Sequence, residues 1–403
     1  MKTLFNLPKE VIFCSKCVYS NQRPASIPEF LHKPSREGAR YLNMKKISHN
    51  KYICDACSVS KVKEKIDWKK REKELIKLLN KHRSKDGKYD CVVPGSGGKD
   101  SVYASHLLKY KYGMNPLTVT WPPILYTSYG YENFKNWIEV GGFDNITFKQ
   151  NGRIIRLLTK LSIQNLLHPF QTFILGQKNI GPRIAAKYKI PLVFYGEAEA
   201  EYGNPIHELT SKRDSSYWVQ KNFNKLYLAG MPLNELTKKY KLSLGDLKPY
   251  LPLDKTEIKN KIEVHYLGYY KKWIPQESYY YSVEHSKFKA RPFRTQGTYS
   301  KYSSIDDKID DLHYYTTFIK FGIGRATYDA SQEVRNNHLT REEAIKLVSR
   351  YDGEYPDKYI DEVLDYIDLK KTDFNKLCDK FRSPHLWKKT SNGWKLRHAV
   401  YEQ

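Results

Sequence analysis

The stretch Tyr89-Asp90-Cys91-Val92-Val93-Pro94-Gly95-Ser96-Gly97-Gly98-Lys99-Asp100-Ser101 constrains this chain more than any other. A short β-branched run at Cys91–Val93 breaks into a glycine and serine loop. A helical pattern then opens through Val102, Ala104, Leu107 and Leu108. Strand, glycine loop and helix start, in that order, make an anion site. Glycine lets the backbone approach a phosphate closely, and the unpaired N–H groups of the first helical turn point at it.

A Walker A loop requires Gly-Lys followed by Ser or Thr. Here Gly98-Lys99 is followed by Asp100, so that reading fails. Ser96-Gly97-Gly98-Lys99-Asp100-Ser101 instead resembles the PP-loop of the ATP pyrophosphatases, Ser-Gly-Gly-x-Asp-Ser. The resemblance implies an adenine-nucleotide α-hydrolase-like fold and cleavage of ATP to AMP and pyrophosphate. It also implies that all six residues, Ser96 to Ser101, touch the nucleotide.

The 403 residues suffice for two or three domains with cores of their own. No apolar run approaches the ~20 residues of a membrane span. The start, Met1-Lys2-Thr3-Leu4-Phe5-Asn6-Leu7-Pro8, lacks the apolar stretch of a signal peptide, so a cytoplasmic protein is expected. Sixty-nine Lys and Arg against 44 Asp and Glu leave a net charge of +25. A nucleic acid, an anionic substrate with ATP, or a merely solvated lysine-rich surface each accounts for such a charge. The 33 tyrosines concentrate in 266–281 and 299–328, where hydroxyl-bearing aromatic faces suit sugars and bases alike.

Cys14-x-x-Cys17 and Cys54-x-x-Cys57 flank a 36-residue loop. In a reducing compartment two such pairs read as a structural Zn²⁺ site with four thiolate ligands and no open position. Residues 1–60 are therefore expected to form a zinc lobe stabilised by the metal.

Residues 61–81 read as a helix leading into a nucleotide domain spanning 61–265. Strands are expected at Cys91–Val93, Pro116–Trp121, Asn145–Lys149 and Leu192–Tyr195. Helices are expected around 101–112, 130–141, 152–166 and 170–188. This alternation implies an α/β doubly wound parallel sheet with ligands at the strands' carboxyl ends. Past the fourth strand, Glu197, Glu199 and Glu201 alternate beside the phosphate loop. They are expected to bind Mg²⁺ and nucleotide or to guide ammonia, with Glu199 a candidate catalytic carboxylate; a solvated acidic turn is the plainer alternative. The stretch Gly245–Ile258 resembles a second PP-loop-family signature, which implies that Lys255 reaches the leaving pyrophosphate. After 265 the alternation stops. Gly297–Ser304 reads as a polar linker. Thr340-x-x-Glu343 is a capping box, and helices are expected at 357–368 and 372–381, giving a mainly helical region over 266–403.

Taken together, the chain resembles the N-acetyl sugar amidotransferase family of bacterial surface-glycan pathways. The resemblance rests on the four cysteines, the loop at 96–101, Tyr-Gly-Glu-Ala-Glu-Ala-Glu-Tyr-Gly-Asn at 195–204 and Tyr-Leu-Gly-Tyr-Tyr-Lys-Lys-Trp at 266–273. Lys-Phe-Gly-Ile-Gly-Arg-Ala-Thr at 320–327 and Asp-Ala-Ser-Gln-Glu-Val-Arg at 329–335 continue it. It implies an ATP-dependent, AMP-forming ligase that turns a sugar acetamido group into an acetamidino group. The substrates implied are those of lipopolysaccharide, O-antigen or nonulosonic-acid synthesis, an anionic or nucleotide-linked sugar among them. Lys99, Asp100 and Lys255 would act at the triphosphate with Mg²⁺. Neither Cys91 nor Cys378 has a nucleophile's context, so ammonia is expected from a separate glutaminase, which the resemblance implies is one of a pair of glutaminase and cyclase-like subunits. Two rival classes are a tRNA-thiolating PP-loop enzyme, favoured by the charge but short of cysteines, and a nucleotide-binding scaffold without catalysis.

Overall fold

The computed structural model describes residues 1–197, 199–204, 209–258 and 260–402. An N-terminal hairpin, β1 (Met44–Ser48) and β2 (Lys51–Cys54), leads into α1 (Asp55–Lys63) and then α2 (Trp68–His82). The central sheet comprises β3 (Cys91–Pro94), β4 (Pro116–Thr120), β5 (Asn145–Thr147), β6 (Leu192–Tyr195) and β7 (Glu263–Tyr266). Its order is β5-β4-β3-β6-β7 and every pairing is parallel. The order reverses beside β3, so the switch point lies at the strand that carries the phosphate loop.

Both faces of the sheet are covered, which is why its strands are continuous apolar runs. Val92, Leu117, Val119 and Val193 pack with α5 (Gly152–Leu166) and α6 (Gln171–Tyr188) on one face. Cys91, Val93, Leu192 and Phe194 pack with Leu75 and Leu79 of α2 and with α3 (Lys99–His106) on the other. The four expected strands are present within a residue or two of their expected ends.

The fifth strand was not foreseen. Glu263-Val264-His265-Tyr266 alternates polar and apolar residues and reads as exposed, yet all four are buried. The polar groups are satisfied locally: His265 joins Tyr270 Oη at 2.9 Å and Glu263 at 3.1 Å, and Lys212 pairs with Glu263 at 2.8 Å. The expected boundary at 265 thus falls inside β7. After a single helical turn at Leu267–Tyr270, α7 (Pro275–Ser286) packs on α3. Ser278, Ser282 and Ser286, four residues apart on one face, are small enough to allow that close approach.

The C-terminal region is α8 (Ile309–Phe321), α9 (Arg325–Arg335), α10 (Arg341–Tyr351), α11 (Ile360–Tyr366) and α12 (Lys371–Phe381). The capping box at Thr340 forms as expected. A hairpin, β8 (Trp387–Thr390) and β9 (Gly393–Leu396), closes the region and adds strand to what reads as helix. The stretch 297–304 is not a free linker: Thr298 and Ser300 are buried, and Arg291 N donates to Lys301 O. No described helix is long and apolar enough to cross a membrane.

Candidate functional site

The loop between β3 and α3 is held in place by shape and by hydrogen bonds. Gly97 has φ +86°, and a Cβ there would stand 2.6 Å from Phe134 Cα of α4 (Ser128–Glu139), so no side chain fits. A Cβ on Gly196, at the end of β6, would meet Asp100 O at 2.7 Å; the two loops at the carboxyl ends of β3 and β6 are in backbone contact. Ser101 Oγ donates to Gly98 O at 2.9 Å, and Ser282 Oγ of α7 donates to Lys99 O at 3.0 Å. Gly98 heads α3, and no side chain caps that end. The first-turn N–H groups therefore face the cleft as donors for an anion.

Lys99 Nζ lies 2.5 Å from Asp100 Oδ2, and Trp273 Nε1 donates to Asp100 Oδ1 at 2.8 Å. Asp100 is thereby fixed by both neighbours, as a loop-holding role requires. Ser96 Oγ donates to Asp306 Oδ2 at 2.7 Å. Asp306, from the turn before α8, is a site residue that sequence reasoning missed, because nothing local to Ile305–Asp311 announces a partner 210 residues away.

Above the loop lies a cavity of about 270 Å³ lined by Ser96, Gly98, Asp100, Ser101, Glu197 and Arg213, among others. Val119, Trp121, Ile174 and Ile180 give it an apolar wall. Trp121 is 2% exposed and its buried Nε1 has no hydrogen-bond partner in the structure. An indole N–H beside an apolar wall suits a heteroaromatic base. Glu197 is brought into this cavity as expected; burial and the charge of Asp100 push its carboxyl up to about 7.

Other expected contacts differ. Glu201 does not face the cavity: its carboxylate pairs with Lys63 of α1 at 2.7 Å, both largely buried, and Arg335 Nη2 donates to its carbonyl. It joins the N-terminal lobe to the cleft instead of holding nucleotide. The side chain of Glu199, first residue of the short turn Glu199–Tyr202, lies outside the described residues. Lys255 is exposed on the turn Lys255–Glu257, beside Lys221, whose charge lowers its pKa. Glu257 fastens that turn to Arg183 of α6 at 2.7 Å, so the expected contact of Lys255 with a leaving pyrophosphate is not part of this arrangement. Lys178 and Arg213 line the cavity in its stead.

Two further cavities continue the first. One of about 300 Å³ shares Gly98, Asp100, Ile174 and Gln177 with it and adds Asp306 and Asp310. Burial and the neighbouring Asp306 and Asp307 charges push the Asp310 carboxyl well up. The next, about 540 Å³, shares Lys99, Tyr202, Tyr302, Ser303 and Arg325 with the second. Its walls are aromatic. Tyr279 and Tyr302 stack with ring centroids 4.4 Å apart, and Tyr19, Tyr299 and Tyr328 stand around them. Arg325 pairs with Asp329 at 2.8 Å and donates to Tyr314 Oη at 2.8 Å. Tyr299 Oη and Gln332 Nε2 are buried there without hydrogen-bond partners. The tyrosine-rich stretches were the sequence signal for this cavity, though not for its place beside the loop.

At the N-terminus all four expected cysteines converge, fully buried. Cys14 and Cys57 Sγ stand 3.8 Å apart, Cys17 and Cys54 Sγ 3.7 Å. Zn–S bonds of about 2.3 Å in a tetrahedron place sulfurs about 3.8 Å apart, so the donor set fits zinc. Backbone N–H groups of Lys16, Cys54 and Cys57 point at the sulfurs at 3.4 Å, as thiolates require. Arg341 of α10 donates to the carbonyls of Cys14 and Cys17.

A doubly wound parallel sheet, with a Ser-Gly-Gly-x-Asp-Ser loop at its switch point and a four-cysteine lobe, defines a PP-loop-type α/β nucleotide-binding fold. Residues 296–401 match the family described as LPS biosynthesis protein WbpG-like, C-terminal domain, which supports the family resemblance read from the sequence. Sixty-nine residues are 42% identical to an uncharacterized protein of Methanocaldococcus jannaschii, or 17% of this chain and 24% of that one. The chain therefore spans about a quarter of the length of that relative. Among solved structures, NMN synthetase from Francisella tularensis aligns over 56% of this chain and 99% of its own, at 14% identity and TM-score 0.26. The U34-tRNA thiolase NcsA from Methanococcus maripaludis, with its 4Fe-4S cluster, aligns over 84% and 88%, at 12% identity and TM-score 0.29.

Proposed function

We propose that this chain is an ATP-dependent amidotransferase of surface-glycan synthesis that converts a sugar acetamido group into an acetamidino group. The observation that carries this reading is the row of three connected cavities. A phosphate loop with an apolar base wall lies at one end, an aromatic chamber at the other, and Lys99 and Asp100 between them. Stacked tyrosines and partnerless buried hydroxyl and amide groups suit a sugar ring, and Arg325 suits a substrate carboxylate or phosphate. The WbpG-like segment supplies Tyr299, Tyr302, Arg325, Tyr328 and Gln332 to that chamber, which ties the family match to the acceptor end.

In this reading the acetamido oxygen attacks the α-phosphorus of ATP and pyrophosphate leaves. Ammonia then adds to the imidate carbon, and AMP departs with the former amide oxygen. The α3 N-terminus, Ser96, Ser101 and Lys99 stabilise charge on the polyphosphate, where preorganised donors are worth the most. Asp100 and Glu197 would hold the Mg²⁺ that screens the triphosphate. The four-cysteine site would hold Zn²⁺ and organise the lobe. Cys91 and Cys378 are buried with thiols pushed up, Cys378 to about 12, which suits neither a glutaminase nucleophile nor sulfur transfer. Ammonia therefore comes from a separate glutaminase-type partner in the cytoplasm.

The competing reading, tRNA thiolation, is favoured by the charge of +25. One assay separates them: the full chain with ATP, Mg²⁺, ammonium and an acetamido sugar nucleotide, or with ATP, Mg²⁺, sulfide and bulk tRNA. Sugar-dependent AMP and pyrophosphate, with oxygen replaced by NH in the product, is expected. A tRNA product with oxygen replaced by sulfur, or release of ADP and orthophosphate, overturns the proposal.

A further inference from the structure

A second cluster of metal-type ligands lies away from the four cysteines. Glu29 sits in the short turn Glu29–Leu31, His32 caps that turn, and His168 follows Leu167, the left-handed residue that ends α5. One ligand atom from each lies within 4.8 Å of the others. Glu29 and His32 are 8% and 7% exposed. Together with Arg36, His313 and Lys320 they line a cavity of about 190 Å³, which shares Ile174 with the nucleotide cavity.

Two observations mark this cluster as more than a buried polar patch. First, Glu29 Oε2 stands 2.8 Å from His32 Nδ1 yet has no aligned hydrogen-bond partner. The two atoms form an ion pair that would open by about 0.5 Å to reach the separation of about 3.3 Å shown by nitrogen and oxygen ligands of one tetrahedral zinc. Second, His168 Nδ1 and His313 Nδ1 are buried with no partner in the structure. A buried ring nitrogen left unpaired is destabilising, and a coordinated ion relieves it. His313 stacks on His168 at 5.0 Å and 22°, which holds the His168 ring.

We propose that Glu29, His32 and His168 form a second divalent transition-metal site, of the zinc class, with an open coordination position facing the cavity. Two imidazoles and one carboxylate are a ligand set that leaves a position for water or an anion, unlike the closed four-thiolate site. Arg36 and Lys320 line the same cavity, and both charges are felt at His32 and His168. Lys320 Nζ donates to Leu166 O, and the Arg36 guanidinium stands 5.3 Å from the Phe321 ring and 5.7 Å from that of Tyr41. Beside a metal they favour an anionic ligand, hydroxide or carboxylate, at the open position. This inference does not depend on the amidotransferase reading.

The test is metal stoichiometry and spectroscopy on the full chain reconstituted with Zn²⁺ or Co²⁺. Two equivalents per chain are expected, and His168→Ala or Glu29→Gln should leave one. Should those variants fail to fold, Co²⁺ titration of the unaltered chain decides. The first equivalent gives intense thiolate-to-metal absorption, and the second adds only weak visible ligand-field bands. A single equivalent with a purely thiolate spectrum, or a second equivalent that survives both substitutions, overturns the proposal.

Discussion

Trp273 Nε1 donates a 2.8 Å hydrogen bond to Asp100 Oδ1, so the phosphate loop is anchored by the segment just beyond the last strand of the sheet. Trp273 is 1% exposed, and a hydrogen bond to a charged group is worth about 1.5–3 kcal/mol. Trp273→Phe should lower stability in urea by an amount in that range and slow ATP-dependent pyrophosphate release. Unchanged turnover would show that the anchor is dispensable.

Lys63 and Glu201 make the same kind of link between the zinc lobe and the cleft. Their charged atoms are 2.7 Å apart, and the side chains retain 9% and 11% exposure. Removing one partner of a buried pair strands the other and costs about 3–5 kcal/mol. Lys63→Met and Glu201→Gln should each cost that much by urea unfolding, while the double variant should cost clearly less than the sum. An additive double variant would mean the pair is not coupled.

Glu197 carries a pH dependence whose direction is fixed. Burial first, then the Asp100 charge, raises its carboxyl from an ordinary 4.5 to about 7. The folded protein therefore keeps a proton there that the unfolded chain gives up. Its contribution falls as pH rises from 4.5 to about 7 and is flat outside that window. Asp307, pushed up to about 7 chiefly by burial, adds to the same trend. Glu197→Gln should make the fall in melting temperature across this window shallower than in the unaltered chain; an unchanged slope would remove Glu197 as a contributor.

Metal loss should reach beyond the cysteines. Arg341 of α10 donates to the carbonyls of Cys14 and Cys17, so the zinc loop and the C-terminal helices share one network. Structural zinc contributes about 10–16 kcal/mol to small modules, enough to govern a lobe of this size. Cys54→Ser should abolish one zinc equivalent and accelerate amide exchange both at 14–57 and at 325–351. Acceleration confined to the first segment would show that the two regions are independent.

Much of this was legible in the chain. The loop at 96–101, four strands and the cysteine pairs announce themselves through local rules: glycine geometry, β-branched runs, ligand spacing. Strand Glu263–Tyr266 stayed hidden because its polar residues are satisfied by Tyr270, Lys212 and one another, which alternation alone does not reveal. Glu201 is expected at the nucleotide from its place just past a strand, and Lys255 from the resemblance of Gly245–Ile258 to a family signature. Glu201's pairing with Lys63, and the Glu257–Arg183 pair that tethers the turn carrying Lys255, are set by tertiary packing. Asp306 and the Tyr279–Tyr302 wall depend on a return of the chain some two hundred residues after the loop. No window of local sequence encodes such a return.

The contact between residues 4–22 and 381–385 has a consequence for folding. Leu4 N donates to Ser383 Oγ, Phe5 stacks on Phe381 at 5.3 Å, and His385 joins Gln22 at 3.2 Å. Contacts of such large sequence separation form slowly in folding. Residues 4–22 and 381–385 should therefore lock together late in refolding, after the sheet that lies between them in sequence has formed.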